Sequence, residues 1–177
     1  NTRTTMSMSS NQPEGDEATH RWMHQVVREF TMDEFAKAQD LIESYSERAT
    51  ISSNMTTENG HTLLHLACYF GTMGILEYLV NSDRIDVDVN IQDKLGYTPF
   101  HVACLRGHMS MAEYLVESDQ FDVDANIQNK SGDTAFHTAC GSDRMDLVQY
   151  LVQSDQLDID ATVKNNRGET ALHIACE

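Results

Sequence analysis

The chain has 177 residues, with 12 Lys and Arg against 28 Asp and Glu, a formal net charge of −16 and a pI near 4.7. Phosphate contacts supply most nucleic-acid affinity, so a chain this acidic argues against a nucleic-acid partner. No stretch of 18 apolar residues encodes a helical membrane span, and no apolar h-region marks a secretory signal.

Residues 1–18 are rich in Ser, Thr, Asn, Gln and Met, with Pro13 and Gly15. That composition buries little apolar surface, and the segment is expected to be disordered. From Ala18 the pattern turns helical. A first segment, His20 to Phe30, sets Trp22, Val26, Val27 and Phe30 at helical spacings. A second opens at a capping box, Thr31 to Glu34, and continues with Phe35, Ala38, Leu41 and Ile42. The pair, residues 19–55, reads as a degenerate capping repeat with Trp22 as a buried anchor. The rival reading is a separate targeting or dimerising hairpin.

Beyond residue 55 the sequence repeats. Gly60, Gly96, Gly132 and Gly168 are 36 residues apart, as are His65, His101, His137 and His173, and Cys68, Cys104, Cys140 and Cys176. A period of this size means stacked supersecondary units. The units run 56–91, 92–127, 128–163 and an incomplete 164–177. In the second, Thr98 is placed to N-cap a helix with Pro99 in its first turn. Phe100, Ala103 and Cys104 form a short apolar face, Gly107-His108 breaks the helix, and Met111, Ala112, Leu115 and Val116 line a second one. Ile75, Leu76, Leu79 and Val80, then Leu147, Val148, Leu151 and Val152, fill the same columns.

The repeating block reads Gly60-His-Thr-Leu-Leu-His-Leu-Ala-Cys68, Gly96-Tyr-Thr-Pro-Phe-His-Val-Ala-Cys104, and likewise from Gly132 and Gly168. It resembles the ankyrin repeat, whose hallmark is Thr-Pro-Leu-His-x-Ala. The family period is about 33 residues. The extra residues here fall after the second helix, in Ser82 to Asp88 and its copies from Ser118 and Ser154. Asp143-Arg144 replaces the Gly-His break in the third unit, so a different turn is expected there. The fourth unit stops at Glu177, within or just after its first helix, and Asn1 stands in place of an initiator Met. A fragment of a longer array is therefore expected.

The resemblance implies an all-α solenoid with β-like finger loops and a non-catalytic protein-recognition role. Partners of such proteins meet the finger tips and the concave face of the first helices. Those positions are Glu58, Asn59, His61, Tyr69 and Phe70, then Lys94, Leu95, Tyr97, Leu105 and Arg106. Further along they are Lys130, Ser131, Asp133 and Ser142, then Asn166, Arg167 and Glu169. The candidate contact set is Tyr69, Phe70, Lys94, Leu95, Tyr97, Leu105, Arg106, Lys130, Asp133 and Arg167. Tyr69, Phe70, Tyr97 and Leu105 are expected to cluster beside Arg106. Five of the seven basic residues after position 50 (Lys94, Arg106, Lys130, Lys164, Arg167) lie on or near this side. The alternative is a spacer or assembly scaffold within a larger signalling protein, channel or secreted effector. The expected state is a monomer, with end-to-end contact through the open last repeat.

The chemistry-bearing residues read mainly as structural. Structural zinc takes four ligands, whereas each unit offers one His and one Cys, and the neighbouring pair lies about 10 Å away. The family resemblance assigns the His to hydrogen bonds between repeats. Four copies of one Cys–His pair make a poor case for a thiol nucleophile. No phosphate loop, nucleophile elbow or zincin motif occurs. No enzyme activity, cofactor or metal is expected. Cys residues spaced a repeat apart are too distant to pair, so free thiols suit a reducing, cytoplasmic compartment. Asp83, Asp86 and Asp88, with their copies Asp119, Asp122, Asp124, Asp155, Asp158 and Asp160, lack the EF-hand pattern and read as a solvated acidic edge. Docking of a basic partner or calcium are the alternatives. Tyr78, Tyr114 and Tyr150 read as partly packed.

Overall fold

Each repeat starts where a threonine can close a helix. Thr62, Thr98 and Thr134 hold extended backbone, and their hydroxyls accept the N–H of His65, His101 and His137. The imidazole Nδ1 atoms turn back to the threonine N–H groups at 3.2, 3.3 and 3.3 Å. This is a capping box with His where Glu or Gln usually stands. The structure, a computed structural model, describes residues 17–31, 42, 55–81 and 87–176.

The helices delimited among the described residues are α1 (Glu17–Thr31), α2 (Leu63–Phe70), α3 (Met73–Asn81), α4 (Pro99–Arg106), α5 (Met109–Glu117), α6 (Ala135–Gly141), α7 (Met145–Gln153) and α8 (Ala171–Ile174). The first helices α2, α4, α6 and α8 stack in a row. Within each of the first three repeats the second helix packs on its own first helix, and α3 also meets α5. One continuous core runs along the stack. It takes Leu64, Ala67 and Cys68, Phe100, Ala103 and Cys104, and Phe136 and Ala139 from the first helices. The second helices add Ile75, Leu76 and Leu79, Met111, Ala112 and Leu115, then Leu147 and Leu151. A fully buried side chain of this kind contributes about 1.5–3 kcal/mol of transfer energy. The small Ala67, Ala103 and Ala139, all fully buried, leave room for neighbouring helices to approach. Among the described residues there is no strand, and no helix is long and apolar enough to cross a membrane.

The N-terminal helix α1 packs on α2 and α3, so it covers the first repeat. Its buried line is Met23, Val26 and Val27, joined by Ile42. Trp22 is only partly buried and packs at the border of the core. Val26 and Val27 thus lie on the expected face, with Met23 added to it and Trp22 at its edge. Thr31, where a second segment was expected to open, is the last residue of α1, and the rest of that capping box lies outside the described residues. Residues 1–16, the side chain of Phe30, and Phe35, Ala38 and Leu41 lie outside the described residues, as do Asp83 and Asp86.

Two differences concern the third repeat. Val116 is buried, but Val152 in the same column is 66% exposed, because among the described residues no second helix stacks beyond α7. The altered turn keeps its backbone path. Gly71 and Gly107 end α2 and α4 in the left-handed region at φ 71° and 74°. Asp143 stands in their column and holds φ 59°. Helix α6 stops at Gly141, with Ser142 as its cap. A left-handed L-residue costs roughly 1–2 kcal/mol, less for Asp, and glycine gives part of that back as chain entropy. Asp143→Gly is therefore expected to stabilise the fold by about 0.5–1 kcal/mol. A higher urea midpoint at unchanged slope would show it; a lower midpoint would mean that the Asp143 side chain itself stabilises the turn.

Candidate functional site

The fingers between repeats are built by a buried polar column. Asp93 Oδ1 accepts the N–H of Leu95 at 2.8 Å and of Tyr97 at 2.9 Å. Asn129 does the same for Ser131 and Asp133, and Asn165 for Arg167 and Glu169. In the first finger Thr57 Oγ1 accepts from His61. Thr57, Asp93, Asn129 and Asn165 are all buried. They sit three residues before each repeated glycine, and that column escaped the sequence reading although the same period carries it. The signal was an Asx side chain placed to fold its own turn.

Adjacent fingers are tied edge to edge. Lys94 N donates to Asn59 O at 3.0 Å, Lys130 N to Leu95 O at 3.0 Å, and Asn166 N to Ser131 O at 2.9 Å. The tie demands close approach. A Cβ on Gly96, already at φ 83°, would lie 2.8 Å from Lys130 N and 2.9 Å from Asn129 Cα. Side chains then link the next layer. His61 Nε2 lies 3.2 Å from an Asp93 carboxylate oxygen, and Asn165 Nδ2 donates to Asp133 Oδ1 at 2.9 Å.

The histidine column joins the same repeats. His65, His101 and His137 Nε2 reach the carbonyls of Tyr97, Asp133 and Glu169 at 2.9, 3.1 and 3.2 Å. A carbonyl only accepts, so Nε2 carries the proton. Nδ1 then accepts from the threonine hydroxyl at 2.8 Å in all three. Each ring works as a neutral imidazole. Burial lowers the His65 pKa from 6.5 to about 4, against smaller opposing effects of the Tyr97 carbonyl bond and of Asp93. His101 is lowered too, again chiefly by burial.

The cysteines of the first three repeats are packing groups. Cys68, Cys104 and Cys140 are free and buried, and Cys176 is free and exposed. Burial pushes the Cys68 thiol far up and Cys104 up to about 12, so neither supplies a thiolate at neutral pH. Among the described residues no group of three or more His, Cys, Asp or Glu is arranged to hold a metal. Many of the repeated aspartates shape loops. Asp88, Asp124 and Asp160 each accept the N–H two residues on, from Asn90, Asn126 and Thr162. The amides of Asn90 and Asn126 clasp the next loop, donating to Asp122 O and Asp158 O and accepting from Asp124 N and Asp160 N. This second Asn column was also missed. Tyr78, Tyr114 and Tyr150 are half-buried.

The candidate contact residues fall into three groups. Lys94, Leu95, Lys130 and Arg167 are exposed at the finger tips, Leu95 at 63%. Arg167 pairs with Glu169 at 2.8 Å. Tyr69, Phe70, Leu105 and Arg106 lie at the ends of α2 and α4, the three apolar ones 42, 43 and 39% exposed. Tyr69 and Phe70 meet edge to face at 5.0 Å, and the Arg106 guanidinium sits 4.3 Å from the Tyr69 ring centre. Tyr97 and Asp133 are half-buried and also serve the stack. Besides receiving the histidine bonds, Tyr97 stands edge-on to His101 at 5.9 Å.

Family comparison fits this architecture. A family model described as ankyrin repeats (3 copies) matches residues 24–127 and 120–177. The chain belongs to the ankyrin-repeat family. A comparison with curated proteins gave no match. Ankyrin repeats are in general protein–protein interaction modules, typically without catalysis.

Two measurements check this site chemistry. Unfolding frees His65 to bind a proton below pH 6.5, while the folded ring resists until about pH 4. The array is therefore expected to keep this stability above pH 6.5 and to lose on the order of 3 kcal/mol as pH falls from 6.5 to 4, with His101 adding in the same direction. Urea midpoints across that range test it, and a His65→Gln variant should flatten the profile. Second, an aromatic disulfide reagent should modify Cys176 at once, and Cys68 and Cys104 only at the rate of unfolding. Rapid reaction of all four thiols in the native chain would contradict the packing role.

Proposed function

We propose that this ankyrin array is a non-catalytic recognition module that binds a protein partner across its finger tips and the ends of its first helices. The observation carrying the reading is the exposed Tyr69–Phe70 pair with Arg106 over the Tyr69 ring, together with the exposed Lys94, Leu95, Lys130 and Arg167 at the finger tips. Exposed aromatics with arginine are the usual composition of interface hot spots. The fingers are tied to one another, so the surface is ordered before binding and association costs little chain entropy. Tyr97 and Asp133 join this surface as half-buried members whose main-chain atoms hold the stack. Free thiols fit a reducing compartment, and we place the module in the cytoplasm on that ground.

The test is affinity capture with the full chain as bait beside a Leu95→Ala/Arg106→Ala variant, after circular dichroism shows equal melting. These two are chosen over Tyr97 because their side chains are exposed. A protein held by the wild-type bait and lost from the variant is expected. A partner retained by both would move the surface elsewhere on the array, and no specific partner would favour a spacer role.

A further inference from the structure

The break between first and second helices carries nitrogen-bearing side chains that stacking lays over the preceding repeat. His108 of the second repeat lies over Gly71 of the first. A Cβ on Gly71 would be 2.7 Å from the His108 ring, and His108 Nε2 donates to Tyr69 O at 3.3 Å. Arg144 takes the same place one repeat on. Its side chain lies over Gly107, where a Cβ would be 2.6 Å from Nε. Gly107 directly follows Arg106, which in turn covers the Tyr69 ring. Three repeats therefore build one ledge: Tyr69 and Phe70 from the first, Leu105 and Arg106 from the second, Arg144 from the third. The two arginines are exposed. Asp143 and Asp146 border the ledge in sequence, yet no carboxylate among the described residues forms an ion pair with Arg106 or Arg144.

Two unpaired guanidinium groups at one turn, in a chain of net charge −16, leave a local site for a carboxylate. The apolar surface beside them suits an aliphatic or aromatic side chain. A polyphosphate backbone is disfavoured by the charge of the rest of the chain. We propose that this ledge binds a short acidic–apolar segment of the protein partner. An Asp or Glu side chain of that segment meets Arg106 and Arg144, and a neighbouring apolar side chain packs on Tyr69, Phe70 and Leu105. The inference rests on the recognition reading above and adds Arg144, which lies outside the contact set read from sequence.

A display library of short random peptides selected against the full chain tests it. The expected pool is enriched in Asp or Glu next to Leu, Met, Phe or Trp. A peptide from that pool should lose about tenfold or more in affinity on the Arg106→Gln/Arg144→Gln chain and weaken with added salt. An Arg106→Glu/Arg144→Glu chain should select basic peptides instead. If either variant melts early, amide shifts of the wild-type chain on peptide addition decide the matter. They are expected at Tyr69, Phe70, Leu105, Arg106 and Arg144. Binders of another chemistry, or acidic ones indifferent to the arginines, overturn the ledge while leaving the recognition reading intact. A library that yields no binder overturns the ledge as well, and the recognition reading then stands or falls by lysate capture.

Discussion

A single neutral imidazole per repeat joins local folding to stacking. Its Nδ1 lone pair closes the start of its own helix, and its Nε2 proton reaches a backbone carbonyl 32 residues on. The cap bond is buried and the bridge part-buried, so losing either leaves a polar group poorly placed to find water instead. Protonation would put a second N–H against the threonine N–H and break the cap from within. The same ring therefore demands the helix start, the finger of the next repeat, and the spacing between them. Helix caps, finger positions and the register of the core all follow from that demand.

Stability in such an array is a sum over units and their junctions. Here each junction has three layers: apolar contacts between first helices, the histidine bridge, and the polar ties of fingers and loops. The break turn stands outside these layers: in the third repeat it carries Asp143 in a glycine's place while the histidine bridge and finger tie remain.

Much of the fold was legible because period and chemistry coincide. Thr98, Pro99 and His101 mark a helix start by their own preferences, and the Leu and Met columns fix the buried face. The finger column Asp93, Asn129 and Asn165 was equally periodic, but its residues read as ordinary polar loop until their turns are seen. Asn90 and Asn126 were hidden similarly, since a clasp on the next loop requires knowing which loop is adjacent. On α1, Val26 and Val27 were legible from helical spacing, whereas Met23 was passed over in favour of Trp22, which outweighs it in any hydrophobic count but only flanks the core. Of the cluster expected from Tyr69, Phe70, Tyr97 and Leu105 beside Arg106, the contacts seen join Tyr69 to Phe70 and Arg106, while Tyr97 stands against His101. Arg144 was not legible, because its approach to Gly107 depends on how one turn leans over another.

The acceptors of the histidine bridge are main-chain carbonyls, and their owners are Tyr97, Asp133 and Glu169. An aromatic and two acids thus perform one structural duty, since every amino acid brings the same carbonyl. These positions lie beside the finger tips, where a partner would read side chains. The scaffold therefore asks nothing of their identity beyond what local pairing adds. A lineage can rewrite what the surface says, letter by letter, while the grammar that keeps the repeats in line is left untouched.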